Sequence, residues 1–382
     1  MNAYQRKLCD TYHPATTLRC RLNPGSLFDQ QETLAMTLKD IFGIELPIIQ
    51  APMAGVQGSA LAIAVCNAGG LGSLPCAMLS MDALRSELAA IAAQTSRPYN
   101  VNFFCHQNPV ADIAREKAWR SLFASYYAEF GLDLETIPQG PGRTPFSAEH
   151  VEILEEFKPP VVSFHFGLPS SDLLAQVKRW GSKVLASATT VAEARWLEAH
   201  GADAIIAQGS EAGGHRGMFL STNVATQVGT FALVPQVVKA VDVPVIAAGG
   251  IADPQTVAAA MQLGAAGVQA GTAYLLCPET TTSAIHRSAL KSADAQVTAI
   301  TNLFTGRPAR AIVNRIMREL GPINAAVPAF PLATSVITPL RSKAESLGNG
   351  DFSPLWAGQN TSGCREIPAA RLTRELAGEL IF

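Results

Sequence analysis

Charge is scarce in this sequence. Asp, Glu, Lys and Arg make up 16% of the 382 residues, and 29 basic against 31 acidic side chains leave a net charge of −2. Without a basic excess there is no electrostatic footprint for nucleic acid. Cysteine is sparse and unpatterned. Cys9, Cys20, Cys66, Cys76, Cys105, Cys277 and Cys364 are odd in number and contain no C-x-x-C pair. That argues against a disulfide scaffold or a structural zinc site and fits a reducing cytoplasm. The opening MNAYQRKLCDTYHPATTLRC lacks the apolar core of a secretory signal. Three stretches carry no charge at all: Leu46–Met81, Gly217–Val238 and Pro254–Pro278. Each is long enough for a bilayer span of roughly 20 residues. Polar residues, Gly and Pro interrupt them, so they read as buried strand–loop–helix units of a soluble fold, with no membrane partner expected.

What the chain has in quantity is apolar residues, 48% of the total, ample for a large core. From residue 44 onward a rhythm sets in. Short apolar runs end in Gly, Pro or a polar residue, and Ala/Leu-rich helical segments follow. The runs are Glu45–Met53, Gly70–Cys76, Tyr99–His106, Val161–Gly167, Lys183–Ala188, Ala202–Gly209, Val243–Gly250 and Ala266–Thr272. Helix signals are clear in the second half. Thr190 is placed as an N-cap with Glu193 three residues on, and Gly201 stops that helix. Asp253 is a second N-cap, followed by Pro254 at the first helical position and by Gly264 at the end. Continuous apolar strands alternating with helices indicate a parallel sheet covered on both faces. Eight units predict an α/β fold, a (β/α)8 TIM barrel. The expected organisation is an N-terminal extension with a short helix over 1–40 and the barrel over 41–276. A mainly helical lid over 277–340 follows, with helices in SAIHRSALKSA and RAIVNRIMREL, and 341–382 returns to the barrel. Residues 107–150 are too long for one βα unit.

In such a barrel the chemistry lies at the C-terminal ends of the strands. Those ends are rich in glycine and neutral amides and poor in carboxylates, Glu211 being the main exception. Gly249-Gly250 and Ala270-Gly271-Thr272 close the last two strands. Small residues let backbone N–H groups approach an anion there, and Thr272 adds a hydroxyl, a recurring phosphate site of this architecture. The loop QAPMAGVQG with Asn102, Gln208 and Gln269 offers donors and acceptors for the edge of a planar heterocycle. Flavin mononucleotide (FMN) satisfies both demands. No G-x-G-x-x-G follows the first strand, so a Rossmann dinucleotide site is not indicated.

Histidine narrows the reaction class. His165 sits between Phe164 and Phe166 at a strand end, where an apolar surround keeps an imidazole neutral and able to accept a proton. His215 and His106 are the other candidates near strand ends. His13, His150, His200 and His286 lie in extension, loop or helix contexts. No H-x-H pair and no supporting carboxylate set is present, so no metal is expected.

These residues resemble a known family. LPIIQAPMAG, VNFFCH, SFHFG, AQGSEAGGHRG, AAGGIAD, VQAGTAYLLCPE and LWAGQ, in this order over most of residues 44–360, look like nitronate monooxygenases of the class with the SFHFG motif. The resemblance implies an FMN-dependent enzyme that oxidises alkyl nitronates with O2, releasing nitrite and a carbonyl product. Propionate 3-nitronate, a natural toxin, is the substrate it suggests, so the role would be nitroalkane detoxification. By the same resemblance His165 is the catalytic base and His215 a second histidine lining the site. The expected cofactor contacts are Ala51, Pro52, Met53, Asn102, Gln208, Gly213, Gly214, Gly249, Gly250, Gln269, Ala270, Gly271 and Thr272. Many members resemble the chain around Phe330 but carry Tyr there. The small-molecule nitronate and O2 are the partners implied; the oligomeric state is left open, a homodimer included. Two alternatives use the same barrel: an NAD(P)H-dependent enoyl-thioester or quinone reductase, and a non-redox barrel that binds a phosphorylated ligand. SFHFG favours the monooxygenase.

Overall fold

In the computed structural model the described residues are 37–137 and 143–378. Most of the expected N-terminal extension and the centre of IPQGPGRTPFS lie outside them.

All eight apolar runs become strands of one parallel sheet. In chain order the strands are β1 (Ile48–Gln50), β2 (Gly72–Pro75), β3 (Tyr99–Phe104), β4 (Val161–His165), β5 (Lys183–Ala188), β6 (Ala204–Gln208), β7 (Gly214–His215), β8 (Val245–Ala248), β9 (Gly267–Ala270), β10 (Thr298–Thr301) and β11 (Ala309–Ile312). The large sheet runs β1-β9-β8-β6-β5-β4-β3-β2. It closes through Leu71: Gln50 N donates to Leu71 O and Leu71 N to Ile48 O, both at 2.9 Å. A closed ring has no free edge, and this one is the (β/α)8 barrel expected from the strand count.

Side-chain alternation sorts the strands into two faces. Val101, Phe103, Val162, Phe164 and Val184 point outward and pack on Leu84, Leu88, Ile91, Leu154 and Val177 of the surrounding helices. Ile49, Leu71, Val161, Leu185, Ile206 and Ile246 instead cluster with Leu38 and Phe42. The short helix Leu38–Phe42 therefore plugs the N-terminal end of the barrel, which leaves the opposite end for the site. Between plug and mouth the interior turns polar. Asn100 Nδ2 donates to Ser73 Oγ (3.0 Å) and Ser163 Oγ (2.9 Å), ties that a buried amide requires.

The helix signals hold. Thr190 accepts from Glu193 N at 3.2 Å, and Asp253 accepts from Thr256 N at 2.8 Å behind Pro254. Gly201 (φ +99°) and Gly264 (φ +95°) turn the chain out of the two helices in the left-handed region that favours glycine.

Outside the barrel one expectation is corrected. RAIVNRIMREL is not one helix. Its first residues belong to β11, and only Arg315–Leu320 is helical. β11 pairs antiparallel with β10 and with β7, a three-stranded sheet that links the otherwise helical region after β9 to the loop following β6. The described part of the excursion after β3 packs on that region. Trp119, Phe123, Tyr126 and Tyr127 share a second core with Leu303, Phe304, Ile316, Val336, Leu340 and Phe352. Two buried tyrosines are anchored across it, Tyr127 Oη on Val336 O (2.6 Å) and Tyr126 Oη on Glu319 Oε2 (2.7 Å).

Candidate active site

The C-terminal mouth of the barrel opens into a cleft of about 1330 Å3, including its open entrance. All fifteen residues expected at the site line it: His165 and His215 together with Ala51, Pro52, Met53, Asn102, Gln208, Gly213, Gly214, Gly249, Gly250, Gln269, Ala270, Gly271 and Thr272. They come from the ends of β1, β3, β4, β6, β8 and β9 and from the loop that contains β7.

One wall is built to receive an anion. Gly249 (φ +117°) and Gly250 (φ +76°) turn the chain sharply after β8, and a Cβ at Gly250 would meet only open space. The N–H groups of Gly249, Gly250 and Gly271 donate to no acceptor among the described residues. Thr272 Oγ1 accepts from Gly358 N at 2.9 Å, so its own proton is free to donate to a ligand. Asn360 Nδ2 holds Gly250 O at 3.0 Å and fixes the turn. Free donors around a glycine turn form an anion-binding concavity without any lysine.

The neutral amides serve the middle of the cleft. Gln269 Oε1 is buried with no hydrogen-bond partner. An orphan acceptor of this kind costs about 1–3 kcal/mol unless a ligand N–H satisfies it. Gln208 is half committed: Nε2 donates to His215 O (3.0 Å) and Oε1 accepts from Gly217 N (2.7 Å). One hydrogen and one lone pair remain for a ligand. Asn102 Nδ2 donates to Ser163 Oγ at 2.9 Å and leaves its carbonyl oxygen free. Buried orphan groups, a heterocycle-sized cleft and a phosphate cradle together fit an FMN-like ligand.

The opposite wall carries the histidines. Phe166 (φ +70°) and Gly167 (φ +92°) end β4 in a tight turn that holds His165 among aromatic rings. Phe104 and Phe166 lie 5.9 and 4.6 Å from its ring centroid. His165 Nε2 faces His215 O at 3.1 Å. A carbonyl only accepts, so Nε2 bears the proton and Nδ1 is the free base. Desolvation pushes the His165 pKa down to about 3, with its hydrogen bond to His215 opposing and Arg307 and Arg216 assisting. His215 is held well below the ordinary histidine value, chiefly by desolvation and then by Arg143. Both imidazoles are therefore neutral at physiological pH.

His215 owes its position to β11 and Thr305. β7 pairs with β11 in the register Ala309↔His215, and His215 Nε2 exchanges a hydrogen bond with Thr305 Oγ1 at 2.9 Å. Arg216, wholly buried, ties the same loop to the end of β6: Nη2 donates to Gln208 O and Nη1 to Gly209 O, both at 2.7 Å. Glu211, the carboxylate at the strand ends, turns both oxygens on Thr230 N (2.9 and 2.8 Å) and so caps the next helix. Phe330 lies beside the histidines, 5.6 Å from the His215 ring and 4.8 Å from the His106 ring.

Several lining residues carry no local sequence signal: Arg143, Ser163, Ser187 and Asn360. His286, assigned to a helix, also reaches the cleft; its Nε2 is buried without a partner, and burial pushes its pKa down to about 4. His106 does not line the cleft; its Nε2 meets Arg143 O at 2.9 Å. Among the described residues no group of three or more His, Cys, Asp or Glu is placed to hold a metal ion, and no helix is long and apolar enough to cross a membrane.

Comparison with known proteins agrees with this geometry. The family model described as nitronate monooxygenase matches residues 35–379. A nitronate monooxygenase from Pseudomonas aeruginosa is 43% identical over 349 residues, covering 89% of this chain and 97% of its own. One from Paraburkholderia phytofirmans is 42% identical over 91% of this chain and 96% of its own. The crystal structure of a nitroalkane oxidase from Streptomyces ansochromogenes superposes with a TM-score of 0.81 at 39% identity, covering 90% of this chain and 97% of that one. A family match over nearly the whole length, relatives above 40% identity and a shared barrel lead to one conclusion: the chain belongs to the nitronate monooxygenase family of enzymes.

Proposed function

We propose that this protein binds FMN and oxidises alkyl nitronates with O2 to a carbonyl product and nitrite, with His165 as the base and contact for the reacting group. The observation that carries the reading is the juxtaposition of a neutral, aromatic-enclosed histidine pair with an anion cradle in one cleft. The cradle of Gly249, Gly250, Gly271 and Thr272 would hold the phosphate, and Asn102, Gln208 and Gln269 would meet the polar edge of the ring system. When bound, FMN supplies the redox chemistry, which none of these side chains can perform.

The protein's own share is orientation and proton handling. A nitronate is already an anion, so no strong base is needed to prepare it. Arg143 and Arg307 both bear electrostatically on His215, and Arg307 on His165 as well; this positive surround draws an anionic substrate to the histidines. Nδ1 of His165 is deprotonated across physiological pH and accepts the α-proton of a neutral nitroalkane. Its low basicity makes that step the slower one, which favours the preformed nitronate over the neutral nitroalkane. Phe104, Phe166 and Phe330 keep water from the reacting atoms and strengthen each of these interactions.

The test is stoichiometric. The purified FMN-loaded protein, given propionate 3-nitronate in air, is expected to consume O2 and release nitrite in proportion to substrate lost. Substrate loss without nitrite would rule this reaction out.

A further inference from the structure

Among the described residues Arg143 is the one guanidinium lining the cleft. It makes no ion pair among the described residues, and Glu211, the one carboxylate among the described residues that line the cleft, is committed to Thr230. Among the described residues Nη1 of Arg143 is buried with no hydrogen-bond partner, while Nη2 faces only the thioether of Met78 at 3.9 Å. The guanidinium lies 5.4 Å from the centre of the Phe330 ring, on the histidine side of the cleft. His106 fastens its backbone from below through Arg143 O (2.9 Å). Burial lowers its pKa to about 10, so the charge persists at neutral pH. A buried cationic N–H with no acceptor is a costly arrangement unless a ligand completes it. It lies apart from the cradle of Gly249, Gly250 and Thr272, across the cleft.

The nitronate group needs the histidines and the flavin face. A second cationic donor set aside beside them calls for a second negative group on the same molecule. We propose that Arg143 is a specificity-determining residue that pairs with a carboxylate at the far end of the substrate. The enzyme then selects nitronates that carry a carboxylate over alkyl nitronates of equal length. This inference rests on the nitronate reading of the site. A guanidinium fork suits a carboxylate in geometry as well as charge, so Lys is an incomplete replacement.

The experiment compares wild type, Arg143→Met and Arg143→Lys, each confirmed as FMN-loaded and folded by its flavin spectrum. KM and kcat are measured with propionate 3-nitronate and with propyl 1-nitronate. For Arg143→Met, KM for the carboxylate-bearing substrate is expected to rise at least about tenfold more than KM for propyl nitronate, the scale for truncating one partner of a buried charge pair. Arg143→Lys should recover part of that difference. Equal losses on both substrates would overturn the proposal, because they would put Arg143 on the nitronate or in the scaffold. A binding measurement separates failure of this proposal from failure of the reaction assignment. Calorimetric titration of the loaded enzymes with 3-nitropropionate, whose carboxylate is ionised while its nitro group is neutral, involves no turnover. Binding by wild type and loss of it in Arg143→Met supports the carboxylate pairing even if no nitronate is oxidised. Equal binding by both proteins contradicts it.

Discussion

His165→Ala is expected to keep its FMN and lose at least about a hundredfold in kcat/KM with neutral nitroethane, the usual scale for removing a general base. The loss with preformed ethyl nitronate should be smaller, because that substrate arrives already deprotonated. The pH dependence follows from the same geometry. Burial holds the wild-type His165 pKa at about 3. Its free-base form is therefore complete from mildly acidic pH upward, and raising the pH through 6.5 adds no further base. The kcat/KM profile for nitroethane should lack the inflection near 6.5 that an ordinary histidine would produce. Steady-state kinetics on both substrates between pH 5 and 8 check all three statements. Normal nitroethane turnover by the variant would end the base assignment.

Gly271→Asp is expected to lose FMN. A Cβ at this position would sit 3.3 Å from Ala51 Cβ and 3.7 Å from Met53 Sδ, between the ends of β9 and β1. The added carboxylate would lie beside the free N–H groups and the Thr272 hydroxyl proposed for the phosphate. Two like charges held together cost several kcal/mol, so FMN affinity should fall on the order of 100-fold or more. Gly271→Ala brings the same Cβ without the charge and should weaken binding far less. Equilibrium dialysis against FMN measures both. An unchanged affinity in the Asp variant would remove Gly271 from the phosphate site.

The barrel and most of its mouth are legible in the sequence because their signals are local. Each strand is a short apolar run ended by Gly, Pro or an amide, and strand ends are where a closed parallel barrel gathers its chemistry. Reading the ends as a list therefore collected residues as far apart as Ala51 and Thr272 on one cleft. The misses have non-local causes. Ala309–Ile312 carries helix-like spacing, and only pairing with β10 and β7 makes it a strand. Trp119 and Tyr127 look like surplus in a long loop until residues 303–352 supply the other half of their core. Arg143 comes from a Pro/Gly-rich segment whose composition says loop and nothing of where a guanidinium ends up. His286 shows ordinary helical surroundings, and only the fold brings it to the cleft wall that Leu275 and Trp356 also line.

The most direct test of the central claim is anaerobic. The FMN-reconstituted protein is mixed with propionate 3-nitronate, and in a separate cuvette with NADH, and the visible flavin bands are followed. Bleaching by the nitronate, with no comparable bleaching by NADH, is the result expected of a nitronate-oxidising site. Rapid bleaching by NADH with none by the nitronate would contradict it and point to a reductase built on the same barrel.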